Sequence, residues 1–250
     1  MSDTKIRYHL LDEIRGFCVF CMVFDHALFT LGYVFFHGFS QKMFDLLAYI
    51  SPLFALTFVL ISGVSCMLSR NNLHRGIKTL CAAFLITLFS LFIMSDAPII
   101  FGVLHLLGSC AVLYAVTEKF IRKTPASLGL ILCLVLFLFT YNTDKGYMGF
   151  EFLPVNMPEK LYTQEFLMVF GFRSPYSAYS DYFPLLPWMF AFFAGVFAGR
   201  KLESQNLPEG IYKSRLPFFS MLGTNAFFIY LVHQPLIFGV YYIISLFGGL

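Results

Sequence analysis

Four of the six histidines in this 250-residue chain, His26, His37, His105 and His233, stand in or at the edge of long apolar stretches. An ionisable side chain inside lipid is costly, so such residues are rare and usually face a pathway or a site. Imidazole is the side chain suited to proton transfer near neutral pH. Lysine and arginine avoid the same stretches.

At 100° per residue, Arg15, Met22, His26, Tyr33 and His37 fall within about 60° of one another on a continuous helix. His26 and His37 would then be separated by about 16 Å of rise. This stripe predicts a polar path along one helix face. The plainer reading leaves His26 bonded to a neighbouring helix and His37 at the membrane interface. Asp25 lies off the stripe, where it could orient a histidine, cap a broken turn or pair with a helix neighbour. His105 lies near one end of its apolar run. His233 is mid-run, with Asn225, Tyr230 and Gln234 nearby. Arg15, with Asp12 and Glu13, is either a charged topology anchor or a contact for an anionic ligand such as a phosphate. No H-x-x-x-H or other ligand spacing is present, so no metal is expected.

The elements that must position these residues are membrane helices. The chain is 58% hydrophobic and 12% charged, and its 33 phenylalanines outnumber the 17 basic and 14 acidic residues together. The mean hydropathy is +0.75. A soluble domain carries about 25% charged residues. The composition therefore predicts an all-α, polytopic membrane bundle forming a single domain over residues 1–250. The net charge of +3 is small and dispersed, which argues against a nucleic-acid partner.

A membrane helix needs about 20 mostly apolar residues. Seven spans are expected, near 12–36, 46–68, 77–95, 99–120, 126–141, 183–200 and 217–247. The last is long enough to be broken or tilted, with Pro235 inside it. The first reads as a retained span, because it lacks a cleavage signal of small residues. Thirteen of the 17 basic residues fall in the N-terminal segment and in alternate loops, and four (Lys42, Lys145, Lys160, Arg173) fall on the other side. The positive-inside rule then predicts a cytoplasmic N-terminus and an outer C-terminus in the cytoplasmic (inner) membrane. The one long connection, 142–182, falls outside and is expected to be an ordered cap, with a short interfacial helix from Pro158 to Phe170.

All six cysteines sit in apolar runs, and Cys18-x-x-Cys21 reads as two packed thiols. The small-residue run from Ile61 to Cys66 and the pair Gly195 and Gly199 read as sites of close helix approach. Ser62 and Ser65 have no base at catalytic spacing.

The run Leu11-Asp12-Glu13-Ile14-Arg15-Gly16 resembles the opening of the heparan-α-glucosaminide N-acetyltransferase catalytic-domain family. Similar blocks follow in order: Phe58 to Gly63, Phe101 to Gly108, Asp181 to Trp188, and Gly223-Thr224-Asn225 through Tyr230, His233 and Gln234. The resemblance implies a multi-span acyltransferase. It would take acetyl from cytoplasmic acetyl-CoA and pass it to an amino-sugar or glycan acceptor on the far side. The family's active histidine stands at the offset of His37 from the Arg-Gly pair. A pathway-lining asparagine stands at the offset of His26. The implied site is therefore His37 and His26 for catalysis, with Arg15, Asp25, His105, Asn225, Tyr230, His233 and Asp181 contacting substrate or donor. Acetyl-CoA use is implied by the resemblance alone. Membrane lipid is an expected partner, and a homodimer is compatible with this reading.

The competing class is a proton-coupled transporter using the histidines as a relay. Transporters often show repeated halves with matching broken helices, and the sequence has no such symmetry. A purely structural membrane protein would not need four membrane histidines.

Overall fold

The computed structural model describes residues 8–93, 98–177, 179–203 and 209–248. In chain order the helices begin with α1 (His9–Phe29), which runs into a π-helical turn (Thr30–Val34). They continue with α2 (Gly38–Leu47), α3 (Ser51–Met67), α4 (Asn72–Ile93), α5 (Val103–Lys123) and α6 (Ala126–Thr140). A two-stranded antiparallel hairpin follows, β1 (Tyr147–Phe150) and β2 (Leu153–Asn156). The last helices are α7 (Leu185–Glu203), α8 (Pro217–Thr224) and α9 (Ala226–Leu246).

Six described helices are long and apolar enough to cross a membrane, and there are seven if α2 and α3, bent by 55°, form one broken span. Their outer faces are apolar: Phe84, Leu85, Val116, Phe120, Ile131, Phe228 and Ile243 are all more than half exposed. Such surface suits lipid rather than water.

Three breaks depart from simple spans. The first apolar run leaves α geometry at Thr30, where Phe35 N–H bonds the Thr30 carbonyl and His37 N–H bonds that of Leu31. The wider turn ends the helix before His37, so the stripe of a continuous helix stops at His26. The last run breaks at Asn225, not at Pro235, which lies inside α9. In the long connection the stretch expected as an interfacial helix forms two 3-10 turns, Glu159–Leu161 and Glu165–Phe170.

The chain divides into two compact units: Met1–Ile61 with Leu207–Leu250, and Ser62–Asn206.

In the first unit, α1 packs along α8 and also touches α9 and α2. Glycine makes the α1–α8 approach possible. A Cβ on Gly16 would sit 2.7 Å from Gly223 N, and one on Gly223 would sit 2.7 Å from the Asp12 carbonyl carbon. The buried Glu13 carboxylate accepts from Ser214 Oγ (3.0 Å), Arg215 N (2.7 Å) and Leu216 N (2.8 Å). The chain entering α8 thus finds its acceptor on α1, where a negative charge also suits a helix N-terminus.

In the second unit, α4 packs on α5, and α7 packs on α6 and α5. Gly63 lets α3 meet α7, since a Cβ there would lie 2.9 Å from the Phe192 carbonyl carbon. Gly199 approaches Val64 in the same way. Arg200 caps the end of α5 by donating to the carbonyls of Ile121, Arg122 and Thr124. Two phenols order the 142–182 connection. Tyr162 donates to the Thr143 carbonyl and Tyr182 to that of Met168, each at 2.5 Å. Burial pushes both phenols above their usual range, so both stay protonated donors.

Candidate active site

Each unit holds a polar centre of its own.

The first unit holds His26, His37 and His233. Thr30, fully buried, donates from Oγ1 to the His26 carbonyl (2.8 Å), a back-bond of the kind that bends helices. Gln234 Nε2 donates to the same Thr30 oxygen (3.2 Å). His26 Nδ1 lies 2.7 Å from His233 Nε2, with the rings nearly parallel at 5.0 Å. His233 Nδ1 lies 2.8 Å from the Tyr230 carbonyl oxygen, and the Tyr230 ring packs 5.4 Å away. Gln234 Oε1 is buried and has no hydrogen-bond partner among the described residues.

His37 is the N-cap of α2, and its ring is exposed. Nδ1 faces Ser40 Oγ at 2.9 Å and Ser40 N at 3.4 Å. When Nδ1 accepts from the backbone N–H, Nε2 carries the ring proton. When Nδ1–H donates to the hydroxyl, Nε2 is bare. A serine hydroxyl can donate or accept, so Ser40, itself buried, supports both forms. The α2 backbone is held against the π turn at Gly32, where a Cβ would lie 2.6 Å from Gln41 N. Tyr33 adds a tie to α2 by donating to Asp45 Oδ1 (2.5 Å).

The other residues expected in this unit have defined partners. Asp25 Oδ1 accepts from Ser51 Oγ (2.7 Å) at the start of α3, which makes it a tie between helices. Arg15, mostly buried, pairs with Asp12 (3.0 Å) and reaches the Gly223 carbonyl (3.4 Å). Asn225 sits at the joint of α8 and α9 and donates to the Met221 carbonyl (2.9 Å).

The second unit holds His105 and Asp181. His105 Nδ1 accepts from Gly102 N (3.2 Å), which is half of a capping box for α5. Thr87 Oγ1 donates to the Ile99 carbonyl (2.7 Å), so at 3.3 Å it accepts from His105 Nε2–H. Asp181, with a left-handed φ of 49°, accepts at Oδ2 from Val103 N (3.3 Å). Aspartate tolerates that conformation better than most residues. Asp181 and His105 together cap the start of α5.

Sequence reasoning missed Ser40 and Thr30. The signal was local: a Ser three residues after His37 at a helix start, and a Thr four residues after His26. No group of three or more metal-ligating side chains occurs among the described residues.

A multi-pass helical membrane protein with histidine-centred polar sites is thus defined by the fold. Over residues 7–235 the chain matches the family described as heparan-alpha-glucosaminide N-acetyltransferase, catalytic, and it belongs to that family. The family supports a membrane acetyltransferase-type function. Comparison with curated proteins and with solved structures finds no match.

Proposed function

We propose that the protein is an integral membrane acyltransferase. It moves an acetyl group from acetyl-CoA on the cytoplasmic side to the amine or hydroxyl of a sugar or glycan on the outer side. The family match over 7–235 carries this reading. The N-terminus is assigned to the cytoplasm and the 142–182 connection to the outside, on the bias of basic residues.

His37 is the base. With Nδ1–H donated to Ser40 Oγ, its Nε2 removes the proton from the acceptor amine or hydroxyl as the new acyl bond forms. The exposed ring admits an acceptor, and the α2 N-cap holds it in place. General-base assistance of this kind contributes about 10²–10⁴-fold. A thioester donor supplies the activated acyl group: its carbonyl–sulfur bond breaks as the new bond forms, and coenzyme A leaves as the thiol with the proton that His37 took up. Its arm is rich in amide N–H groups, which suit the buried, unpartnered Gln234 Oε1. Arg15 is the basic residue assigned to the donor's phosphates, beside Asp12.

The test is purified protein in lipid vesicles, given labelled acetyl-CoA and a panel of amino sugars. Labelled N- or O-acetyl sugar is expected, and only when donor and acceptor are supplied on opposite faces. Proton-driven uptake of a solute without any acetylated product would favour the transporter reading instead.

A further inference from the structure

We propose that His233 is a positioning residue that fixes the tautomer of His26, leaving His26 Nε2 as a bare hydrogen-bond acceptor within the membrane interior. This deepens the acyltransferase reading and rests on it for the role of the bare nitrogen in turnover. The tautomer itself follows from geometry.

The Tyr230 carbonyl oxygen can only accept, so His233 Nδ1, 2.8 Å away, carries a hydrogen. In a neutral ring the other nitrogen, Nε2, is then bare. His26 Nδ1 is 2.7 Å from that nitrogen, and two bare nitrogens would not approach so closely. His26 Nδ1 therefore donates. The remaining nitrogen, His26 Nε2, has the lone pair and no partner among the described residues. The reverse arrangement would need a doubly protonated His233 between two apolar spans. An isolated charge there is costly without a partner. The nearby carboxylate on α1, Asp25, bonds Ser51.

Position is fixed as well as protonation. The adjacent residues His233 and Gln234 of α9 grip α1 at two points one helical turn apart. His233 holds the His26 ring, and Gln234 holds Thr30, which in turn bonds the His26 carbonyl. The imidazole thus cannot rotate or swap its proton without breaking a contact to α9. One polar cluster thus carries the buried Gln234 Oε1, which has no partner among the described residues, beside the His26 Nε2 that this tautomer leaves bare. A ligand with N–H or O–H donors would satisfy both.

The experiment reads the tautomer directly. Protein with 15N-labelled histidine is studied by NMR in lipid bilayers, and His26 is assigned by the signals lost in His26→Asn. His26 is expected to show a protonated Nδ1 and a bare Nε2. In His233→Leu the acceptor for Nδ1–H is gone, and the Nε2–H form should appear. In His233→Gln an amide oxygen still accepts, so the bare Nε2 should persist. Turnover should follow the tautomer. By analogy with residues that orient a catalytic group, His233→Leu should lower kcat about 10–100-fold with little change in KM, whereas His233→Gln recovers most of it. A proton on His26 Nε2 in the unaltered protein overturns the proposal, even if no variant folds. So does an unchanged tautomer in His233→Leu, or equal turnover in the Leu and Gln variants. If the tautomer is as expected but no acetyl transfer is found with any sugar, the relay stands and the acyltransferase reading fails.

Discussion

His105 and His26 are both intramembrane histidines, one in each unit, and they differ in what the protein leaves over. In the second unit, His105 is spent. Gly102 N–H takes Nδ1, and Thr87 takes the Nε2 hydrogen. In the first unit, among the described residues, His26 has one nitrogen tied to His233 and one without a partner, and His37 has only Nδ1 engaged, by Ser40. Burial of a histidine thus does not by itself mark chemistry. The count of uncommitted nitrogens separates a helix cap from a candidate reactive group.

The strongest way to break this comparison is His37→Ala. Acetyl transfer is expected to fall about 10²–10⁴-fold, the range for loss of a general base, while stability falls only by the loss of the α2 cap on Ser40, about 0.5–2 kcal/mol. Near-normal turnover in that variant would remove His37 from the mechanism.

A smaller effect is expected at His26. His26→Asn keeps a hydrogen-bonding side chain and should retain substantial turnover. His26→Leu should lose both donor affinity and rate, measured as KM and kcat. Equal inactivity of both variants would show that His26 itself transfers a proton.

His105→Ala sharpens the other side. It strands the Gly102 N–H and removes the weaker of the two contacts of Thr87, which keeps the Ile99 carbonyl. A stability loss of about 2 kcal/mol is expected from the unmet N–H, seen as a lower unfolding midpoint. Loss of transfer per folded molecule should be smaller than for His37→Ala. The reverse ranking would mean that His105 is the reactive one.

The smallest effect belongs to the exposed Arg122–Glu118 pair at the end of α5 (2.7 Å). Such surface pairs contribute little. Glu118→Gln should leave both melting and transfer unchanged, and a clear shift would indicate that α5 ends in something other than solvent.

Hydropathy made the spans legible, because apolar length is a direct requirement of the bilayer. The breaks were not legible. The turn between α2 and α3 runs through Ala48, Tyr49 and Ile50, which interrupt no apolar pattern. The π turn at Thr30–Val34 is equally apolar, and what opens it is Thr30 bonding backward and Gln234 bonding across, a contact 204 residues away in sequence. Pro235 looked like the natural break in the last run, yet the chain breaks at Asn225, where Gly223 meets the backbone of α1. The β1–β2 hairpin is two four-residue strands, too short for periodicity to announce. For the candidate site, residue types could be read, and the family resemblance singled out His37 by its offset from Arg15 and Gly16. Partnerships could not be read. Nothing local to His26 says that it bonds His233 rather than the adjacent Asp25.

The cap that Glu13 places on the start of α8 has a consequence for how the chain assembles. Its donors, at residues 214–216, are translated about 200 residues after it. At roughly 5–20 residues per second, a wait on the order of ten seconds or more separates the two. The second unit, continuous in sequence, can assemble during that interval. The first cannot close until its last strip of chain emerges. Until then the Glu13 carboxylate and the Gly16 face of α1 wait without their complement. Contacts of such long sequence separation form late, so the histidine pair is among the last things this protein builds.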